Sequence, residues 1–265
     1  MSVDVSPDGQ LLAFDLLGDI FTLPVSGGEA RLIHGGPAMQ RTPRFSADGS
    51  QLLFVSDAAG TENVWISKTD GTAARAVTHE ARDLIQVASW GPDSQSVVAS
   101  FISAEYPRRW SAEIKLYDLG GGVRTLVPVP KNKRDVAEPV VSRDGQYVYY
   151  TERLTNPNIY VDANHINYAV KRRDVRTGES EELASGWGGA LAPQISKSGK
   201  HLAFVRRVKD KTLLFHMDLT SRAQRAVYDG LDRDLQASYE AQVNYYPGYA
   251  DRKSTRLNSS HRTGS

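Results

Sequence analysis

Short apolar runs alternate with turn sequences along most of this chain, and the clearest example lies at residues 43–78. The pattern predicts four strands there, at 43–46, 51–56, 63–67 and 73–78. Asp-Gly pairs between apolar runs favour tight hairpins, and a type I′ turn needs φ > 0 at both central residues. We therefore predict a four-stranded antiparallel meander. A sheet this small cannot bury both faces by itself, so it needs neighbours of the same kind.

The same four-residue turn recurs five times, at 6–9, 46–49, 91–94, 142–145 and 196–199. It reads Ser-x-Asp-Gly, apart from Gly91, Ser94 and Ser198. Its last residue advances by 40, 45, 51 and 54 positions, and a β-rich run follows each copy. Four strands repeated about every 40–45 residues are typical of β-propeller blades, and longer loops extend the later periods.

We therefore predict an all-β fold, a β-propeller of four-stranded antiparallel blades with about five blades present. Residues 245–249 look like the approach to a sixth blade, so the propeller at 1–250 is expected to be open and incomplete. Residues 251–265 break the repeat and are expected to be an artefactual or disordered tail. The strands predicted in the first blade are 3–6, 11–16, 19–25 and 29–34, and those in the third blade are 87–91, 96–101, 113–119 and 123–127. The strands predicted in the fourth blade are 139–142, 147–152, 168–175 and 180–184, and those in the fifth blade are 192–196, 201–207, 212–219 and 224–228.

Charge and composition narrow the possible partners. The net charge is +1, but the tail carries four basic residues and one acidic residue, which leaves the body at −2. A mildly acidic body gives no case for nucleic acid or for an anionic membrane. No apolar run approaches the length of about 18 residues that a membrane helix needs. The chain has no cysteine, which excludes disulfides, thiolate metal sites and a cysteine nucleophile.

No pattern typical of a catalytic or cofactor site is found in the sequence. The histidines form no His-x-His pair, and His79-Glu80 lacks the second histidine of a zincin motif. No Gly-x-Ser-x-Gly elbow occurs, and the glycine-rich runs join strand to strand rather than strand to helix. The Asp residues of the tetrads are interpreted as turn formers rather than as calcium ligands or acid–base groups. We therefore expect no catalytic residue, no metal site and no cofactor site in this chain.

The repeats resemble the TolB-like or Tricorn-like propeller, in which Ser-Pro-Asp-Gly turns, Phe-x-Ser-Asp and Asn-x-Trp-Ile segments recur. Residues 54–57 and 63–66 match the last two patterns. The segments 14–24, 186–193 and 246–250 look, more specifically, like the N-terminal propeller of bacterial propeller–amidohydrolase proteins. The resemblance covers residues 1 to about 250, and the tetrads at 91–94 and 196–199 depart from its pattern.

The resemblance implies a non-catalytic propeller portion of a metal-dependent amidohydrolase, located in the periplasm or secreted. Such a propeller would serve docking, substrate access or protein interaction. Zinc or another divalent metal is then expected only in a missing C-terminal domain, which would be the partner of the propeller. Two alternatives stay open. One is a TolB-like periplasmic interaction module, and the other is the gating propeller of a Tricorn-like or prolyl-oligopeptidase-like serine peptidase.

In a four-strand meander the first-to-second and third-to-fourth turns lie at one end of the sheet, here called the turn end. The second-to-third loop and the connector to the next blade lie at the other, the loop end. Long insertions at 102–112 and 153–167, together with the connector 185–189, belong to loop ends. Loops on a rigid scaffold that carry aromatic and Arg residues favour binding. The predicted interaction face consists of Tyr106, Arg108, Arg109, Trp110, Tyr160 and Trp187.

Overall fold

Every regular element that the computed structural model describes is a β-strand. The described residues are 2–81, 84–102, 112–130, 136–154, 167–209 and 211–231. The strands are β1 (Val3–Val5), β2 (Leu11–Leu16), β3 (Asp19–Pro24), β4 (Arg31–His34), β5 (Gln40–Phe45), β6 (Gln51–Ser56), β7 (Asn63–Lys68), β8 (Arg75–Ala76), β9 (Leu84–Trp90), β10 (Ser96–Ile102), β11 (Ala112–Asp118), β12 (Val123–Val127), β13 (Val136–Val141), β14 (Tyr147–Arg153), β15 (Tyr168–Asp174), β16 (Ser180–Ala184), β17 (Leu191–Ile195), β18 (His201–Val208), β19 (Lys211–Asp218) and β20 (Gln224–Tyr228).

These strands form five separate four-stranded sheets, each with its strands in chain order and every pairing antiparallel. Each sheet is one predicted blade, so the all-β propeller class is confirmed. Most strand bounds agree with the predicted ones to within two residues. The exceptions are β5, β9 and β13, which each begin three residues before the predicted start. β8 is much shorter than predicted, because it spans Arg75–Ala76 rather than 73–78. Past it, the Thr78 hydroxyl accepts a hydrogen bond from Val64 N at 2.9 Å, which takes the place of a regular ladder contact.

The prediction of two-residue type I′ hairpins is wrong for the Asp-Gly pairs. In the first blade Gly9 N donates to Ser6 O at 2.8 Å, and Gly9 has φ 74° while Asp8 is not in the left-handed region. This is a type I turn over residues 6–9 that ends on a left-handed glycine. The serine is the first residue of the turn, and its hydroxyl donates a hydrogen bond to the Asp side chain inside the turn. The connection between β1 and β2 is therefore two residues longer than a type I′ loop.

The chain divides into two compact units, residues 1–128 with blades 1–3 and residues 129–265 with blades 4 and 5. In the first unit, the apolar run of β6 buries both faces of its sheet. Leu53 and Val55 pack in one cluster with Phe101 of β10, whereas Leu52 packs with Ala13 of β2. Burying one such side chain contributes about 1.5–3 kcal/mol. Alternate residues of one strand therefore hold blade 2 against both of its neighbours.

In the second unit, β18 provides the corresponding contacts. Phe204 packs with Tyr149 of β14, and its ring stacks on Phe215 at 5.6 Å between centroids. Val205 points to the opposite side, where it packs with Leu191 and the partly buried Leu231. In β14 the aromatic side chains of Tyr149 and Tyr150 are both buried.

Candidate functional site

The tetrads at the turn ends are held by one repeated hydrogen-bond pattern. In blade 2 the Ser46 hydroxyl donates to Asp48 Oδ1 at 2.6 Å, and that oxygen also accepts Ser50 N at 3.0 Å. Ser46 Oγ in turn accepts Gln51 N at 3.0 Å. These bonds, the serine hydroxyl first, lower the pKa of Asp48 from 3.8 to about 2. The carboxylate is occupied inside its own turn, which agrees with the turn-former interpretation.

The first strands of blades 2, 4 and 5 contain an unusual backbone position. Thr42, Glu138 and Ala192 each precede a proline and each have φ 55°, and the strand register shifts at all three. Non-glycine residues rarely adopt this conformation, and a β-branched one such as Thr42 does so least readily. The first strands of these blades thus each contain a strained bulge.

Buried polar groups from the preceding sheet hold two of these bulges. Asp15 of β2 accepts Thr42 N at 3.0 Å on one oxygen and Ser2 N on the other. In the second unit, Ala192 N donates to Glu138 Oε2 at 2.7 Å, and the Thr151 hydroxyl donates to the same oxygen at 2.6 Å. Burial raises the pKa of Glu138 even though both hydrogen bonds oppose that rise. These groups join neighbouring blades within one unit, which is a structural role.

The connector 185–189 between β16 and β17 exposes Trp187 completely. Arg206 of β18 fixes the connector backbone, because its Nε donates to Gly189 O at 3.1 Å and its Nη2 to Ser185 O at 3.2 Å. The guanidinium also lies over the rings of Phe204 and Phe215, at 5.3 and 5.2 Å from their centroids. Two carbonyls of the loop thus share one planar cation that is itself packed on aromatic rings.

Glycine is required at position 188 for this arrangement. Gly188 has φ 83°, and a Cβ atom there would lie 1.9 Å from Arg207 O. The close approach lets Gly188 O accept Arg207 N at 3.0 Å. At its end the connector is joined to β15, since Ala190 N donates to Tyr168 O at 2.9 Å. The indole therefore stands on a loop whose backbone is bonded to both β15 and β18.

A hairpin with several basic residues lies beside this loop. The β18–β19 hairpin begins beside Gly188 and carries Arg207, Lys209 and Lys211, with the partly exposed Val208 between them. Arg207 Nε donates to Lys209 O at 3.1 Å, which closes the hairpin. The loop end of blade 5 thus combines one exposed indole with three cationic side chains. Chemically, this arrangement can bind an apolar pocket bordered by carboxylates.

Most of the predicted interaction face lies outside the described residues. Tyr106, Arg108, Arg109, Trp110 and Tyr160 are all in that portion of the chain, as are the sixth-blade approach at 245–249 and the tail at 251–265. Trp187 is described and is exposed. The connector that carries it lies beside Tyr168, the first strand residue after the insertion 153–167. The proposed face as a whole stays a prediction.

Arg206, which positions the Trp187 loop, was not predicted from the sequence. A signal for it is present in the alternation of β18. Leu202, Phe204 and Arg206 occupy the same face of the strand at a period of two, so the pattern places a cation where a buried residue is expected. A cation at such a position needs acceptors close by, and the carbonyls of the glycine-rich connector supply them.

The histidines among the described residues have packing roles or lie at the surface. His34 Nε2 is 2.9 Å from Ser67 Oγ, its ring stacks on Phe54, and burial lowers its pKa. His201 and His216 lie 5.0 Å apart between ring centroids on blade 5. Within the described ranges, no three His, Asp or Glu side chains come together as a metal site. Over the same ranges, no helix is long and apolar enough to cross a membrane.

Comparison with known proteins gives consistent matches. The tricorn protease N-terminal β-propeller domain matches residues 2–160. Tricorn protease homolog 1 of Streptomyces coelicolor is 28% identical over 123 residues, which are 46% of this chain and 11% of that protein. The uncharacterized peptidase YuxL of Bacillus subtilis is 27% identical over 180 residues, which are 68% of this chain and 23% of that protein. The chain thus spans a quarter or less of either relative.

The fold is shared with a solved structure described as TolB from Agrobacterium tumefaciens. The TM-score is 0.67 at 19% identity, and the similarity covers 86% of this chain and 80% of that one. At this level of identity the likeness concerns the fold alone, and it agrees with the five four-stranded sheets described above.

Proposed function

The chain belongs to the family of tricorn protease N-terminal β-propeller domains, and from this we propose that it is the non-catalytic docking module of a larger hydrolase. In this role the propeller holds another domain in place and shapes access to that domain's active site. The short span relative to the matched proteins supports this proposal, because most of each relative lies outside the matched segment.

The observation that carries the proposal is the geometry of the connector 185–189. Arg206 bonds two of its carbonyls, and Trp187 is left fully exposed on the fixed backbone. An exposed tryptophan on an ordered loop loses little conformational entropy on binding and buries a large apolar area. A solvent-facing indole held in this way supports a contact with another protein surface.

Two classes of parent hydrolase each have a specific observation in their favour. The family and the peptidase relatives favour a serine peptidase whose propeller controls access. The segments 14–24, 186–193 and 246–250 favour an amidohydrolase, in which a divalent metal such as zinc activates water in the C-terminal barrel. In both cases the chemistry belongs to the other domain, and this chain contributes binding surface.

An interaction module without any enzyme is the remaining candidate. The fold similarity to TolB favours it, because that structure matches over most of both chains. Residence in the periplasm or outside the cell is part of the same proposal and rests on resemblance. Fractionation of cells that express the full-length gene would test it.

One experiment separates these classes. The protein is expressed from its full-length gene and assayed for amide and peptide hydrolysis before and after chelation. It is then treated with a fluorophosphonate that labels active serines. An amidohydrolase loses activity on chelation and regains it with zinc. A serine peptidase is labelled and is insensitive to the chelator. A protein that neither hydrolyses nor is labelled is an interaction module, and hydrolysis abolished by changing a histidine within residues 1–231 would overturn the proposal.

A further inference from the structure

We propose that the loop end of blade 5 is the anchor of the docking contact and that it receives an acidic surface of the adjoining catalytic domain. The surface, here called the Trp187 patch, consists of Trp187, Arg207, Val208, Lys209 and Lys211. This inference rests on the proposed function, because it presupposes an adjoining domain, and it names the site and the chemistry of the contact.

The indole is the central element of the patch. Trp187 is fully exposed, whereas the loop that carries it is bonded to Arg206, Arg207 and Tyr168. Its backbone is therefore fixed before any partner arrives, and binding costs only the ordering of one side chain with two rotatable bonds. Residues that dominate protein interfaces are most often aromatic or Arg side chains that fill a pocket in the partner.

The charges around the indole determine which partner fits. Residues 206–211 include four basic residues and one acidic residue, Asp210. Of the four basic residues, Arg206 already donates to two loop carbonyls and to Gln224 Oε1, and it lies under the loop. The acidic Glu182 nearby accepts the Ser185 hydroxyl. The outward charge is therefore positive, and a complementary partner surface carries carboxylates around an apolar pocket.

A second copy of this chain is a poor occupant of the patch. In a symmetric dimer the same surface meets itself, so the basic hairpins would face each other and repel. A nucleic acid is also an unfavourable partner, because the patch is small and the chain as a whole has a net charge of only +1. The matched relatives extend far beyond the segment they share with this chain, so an adjoining domain is the nearest partner.

The test uses the intact parent polypeptide and limited proteolysis of the segment that joins the two domains. When undocking is fast, the cleavage rate follows the population of the undocked form. We expect Trp187→Ala to raise this rate about thirtyfold, which is the effect of losing a hot-spot residue. The double variant Lys209→Glu/Lys211→Glu should raise it as well, and its effect should shrink at high salt because the charges are exposed.

Two matched controls are available on the same chain. Leu17→Ala removes another almost fully exposed apolar side chain, and Lys197→Glu/Lys200→Glu reverses two exposed lysines at the turn end of the same blade. Both should cleave at the wild-type rate and keep the wild-type melting temperature, because the altered side chains are exposed and lie outside the patch.

The outcomes separate the inference from the proposed function. Rapid cleavage of the wild type, with two domains that melt independently, would overturn the docking function itself. A protected wild type, with patch variants cleaved no faster than the controls, would leave docking intact and overturn the assignment to the Trp187 patch. The assignment would also be wrong if the patch variants dock normally but lose binding to a single-stranded DNA oligonucleotide that the wild type binds. It would be wrong as well if they dock normally but no longer form a dimer that the wild type forms.

Discussion

Ser96 Oγ occupies the place that a side chain on Gly91 would take, because a Cβ atom at position 91 would lie only 2.0 Å from it. In blades 1, 2 and 4 the first residue of the tetrad is a serine whose hydroxyl donates to the Asp carboxylate. In blade 3 that serine is missing, and Ser96 Oγ donates to Asp93 Oδ1 at 3.1 Å instead. One hydroxyl thus takes the place of another, from five residues further along the chain.

The first prediction concerns this exchange. Gly91→Ser alone should destabilise the protein by about 1–3 kcal/mol, because two side chains then compete for one space. Position 91 is not in the left-handed region, so backbone strain adds nothing to this loss. Adding Ser96→Ala should recover most of it, since it removes the 2.0 Å clash and leaves contacts of 3.1 Å to the Cβ atom and 3.2 Å to the backbone oxygen of residue 96. Urea unfolding of the two single variants and the double variant measures the coupling, and simple additivity would contradict the exchange.

The tetrads also show how much of the fold could be predicted from the sequence. The Ser-x-Asp-Gly period and the apolar runs after it predicted the number of blades, the strand order and most strand bounds. The turn type could not be predicted from the Asp-Gly pair alone, because the preceding serine lengthens the turn through its own hydrogen bonds. The capping of Thr42 by Asp15 was not predicted either, since it joins residues of two blades that only tertiary packing brings together.

The candidate site was predicted less completely than the fold. Trp187 was predicted as a binding residue because it is an aromatic residue in a loop-end connector. Arg206 was not predicted, because an Arg near the end of a strand is usually solvated, and only the fold places it beneath the connector carbonyls. Gly188 lies in the same connector, and the reason that only glycine fits there, the close approach of Arg207 O, is a tertiary contact that no local pattern reveals.

The second prediction concerns the pH dependence of the turns. The pKa of Asp48 is lowered to about 2, so its contribution to the free energy of unfolding is complete above pH 3.8 and is lost as the pH falls towards 2. The carboxyl carbon of Asp48, followed by NMR, should titrate well below an ordinary Asp. Ser46→Ala removes the hydrogen bond that lowers the pKa most and should raise this midpoint. A midpoint near 3.8 in the wild type would be inconsistent with the turn geometry.

The third prediction concerns Glu138, whose pKa moves in the opposite direction. Burial raises it above 4.5, so the folded state favours the protonated form. The favourable contribution is present below pH 4.5 and is lost as the pH rises through the folded-state pKa. Glu138→Gln keeps a carbonyl acceptor for Ala192 N and cannot ionise. Its stability relative to the wild type should therefore improve from about pH 4 to about pH 7, and a difference independent of pH would contradict a raised pKa.

The fourth prediction concerns Arg206. Arg206→Lys keeps the charge but loses the planar arrangement of donors that reaches both Ser185 O and Gly189 O. The connector should open more often, so amide exchange at residues 186–190 should become about tenfold faster, which corresponds to losing one charged hydrogen bond. Exchange in β14 should not change, and it serves as the internal control. Unchanged exchange in the connector would show that Arg206 does not hold it.

Docking through the exposed tryptophan is the central claim, and hydroxyl-radical footprinting of Trp187 tests it most directly. The modification rate of Trp187 is measured in this chain and in the intact parent protein, with the exposed His201 at the turn end of the same blade as the reference. We predict that Trp187 is modified rapidly in the chain and is strongly protected in the parent, while His201 reacts equally in both. Equal reactivity of Trp187 in the two proteins would contradict the claim.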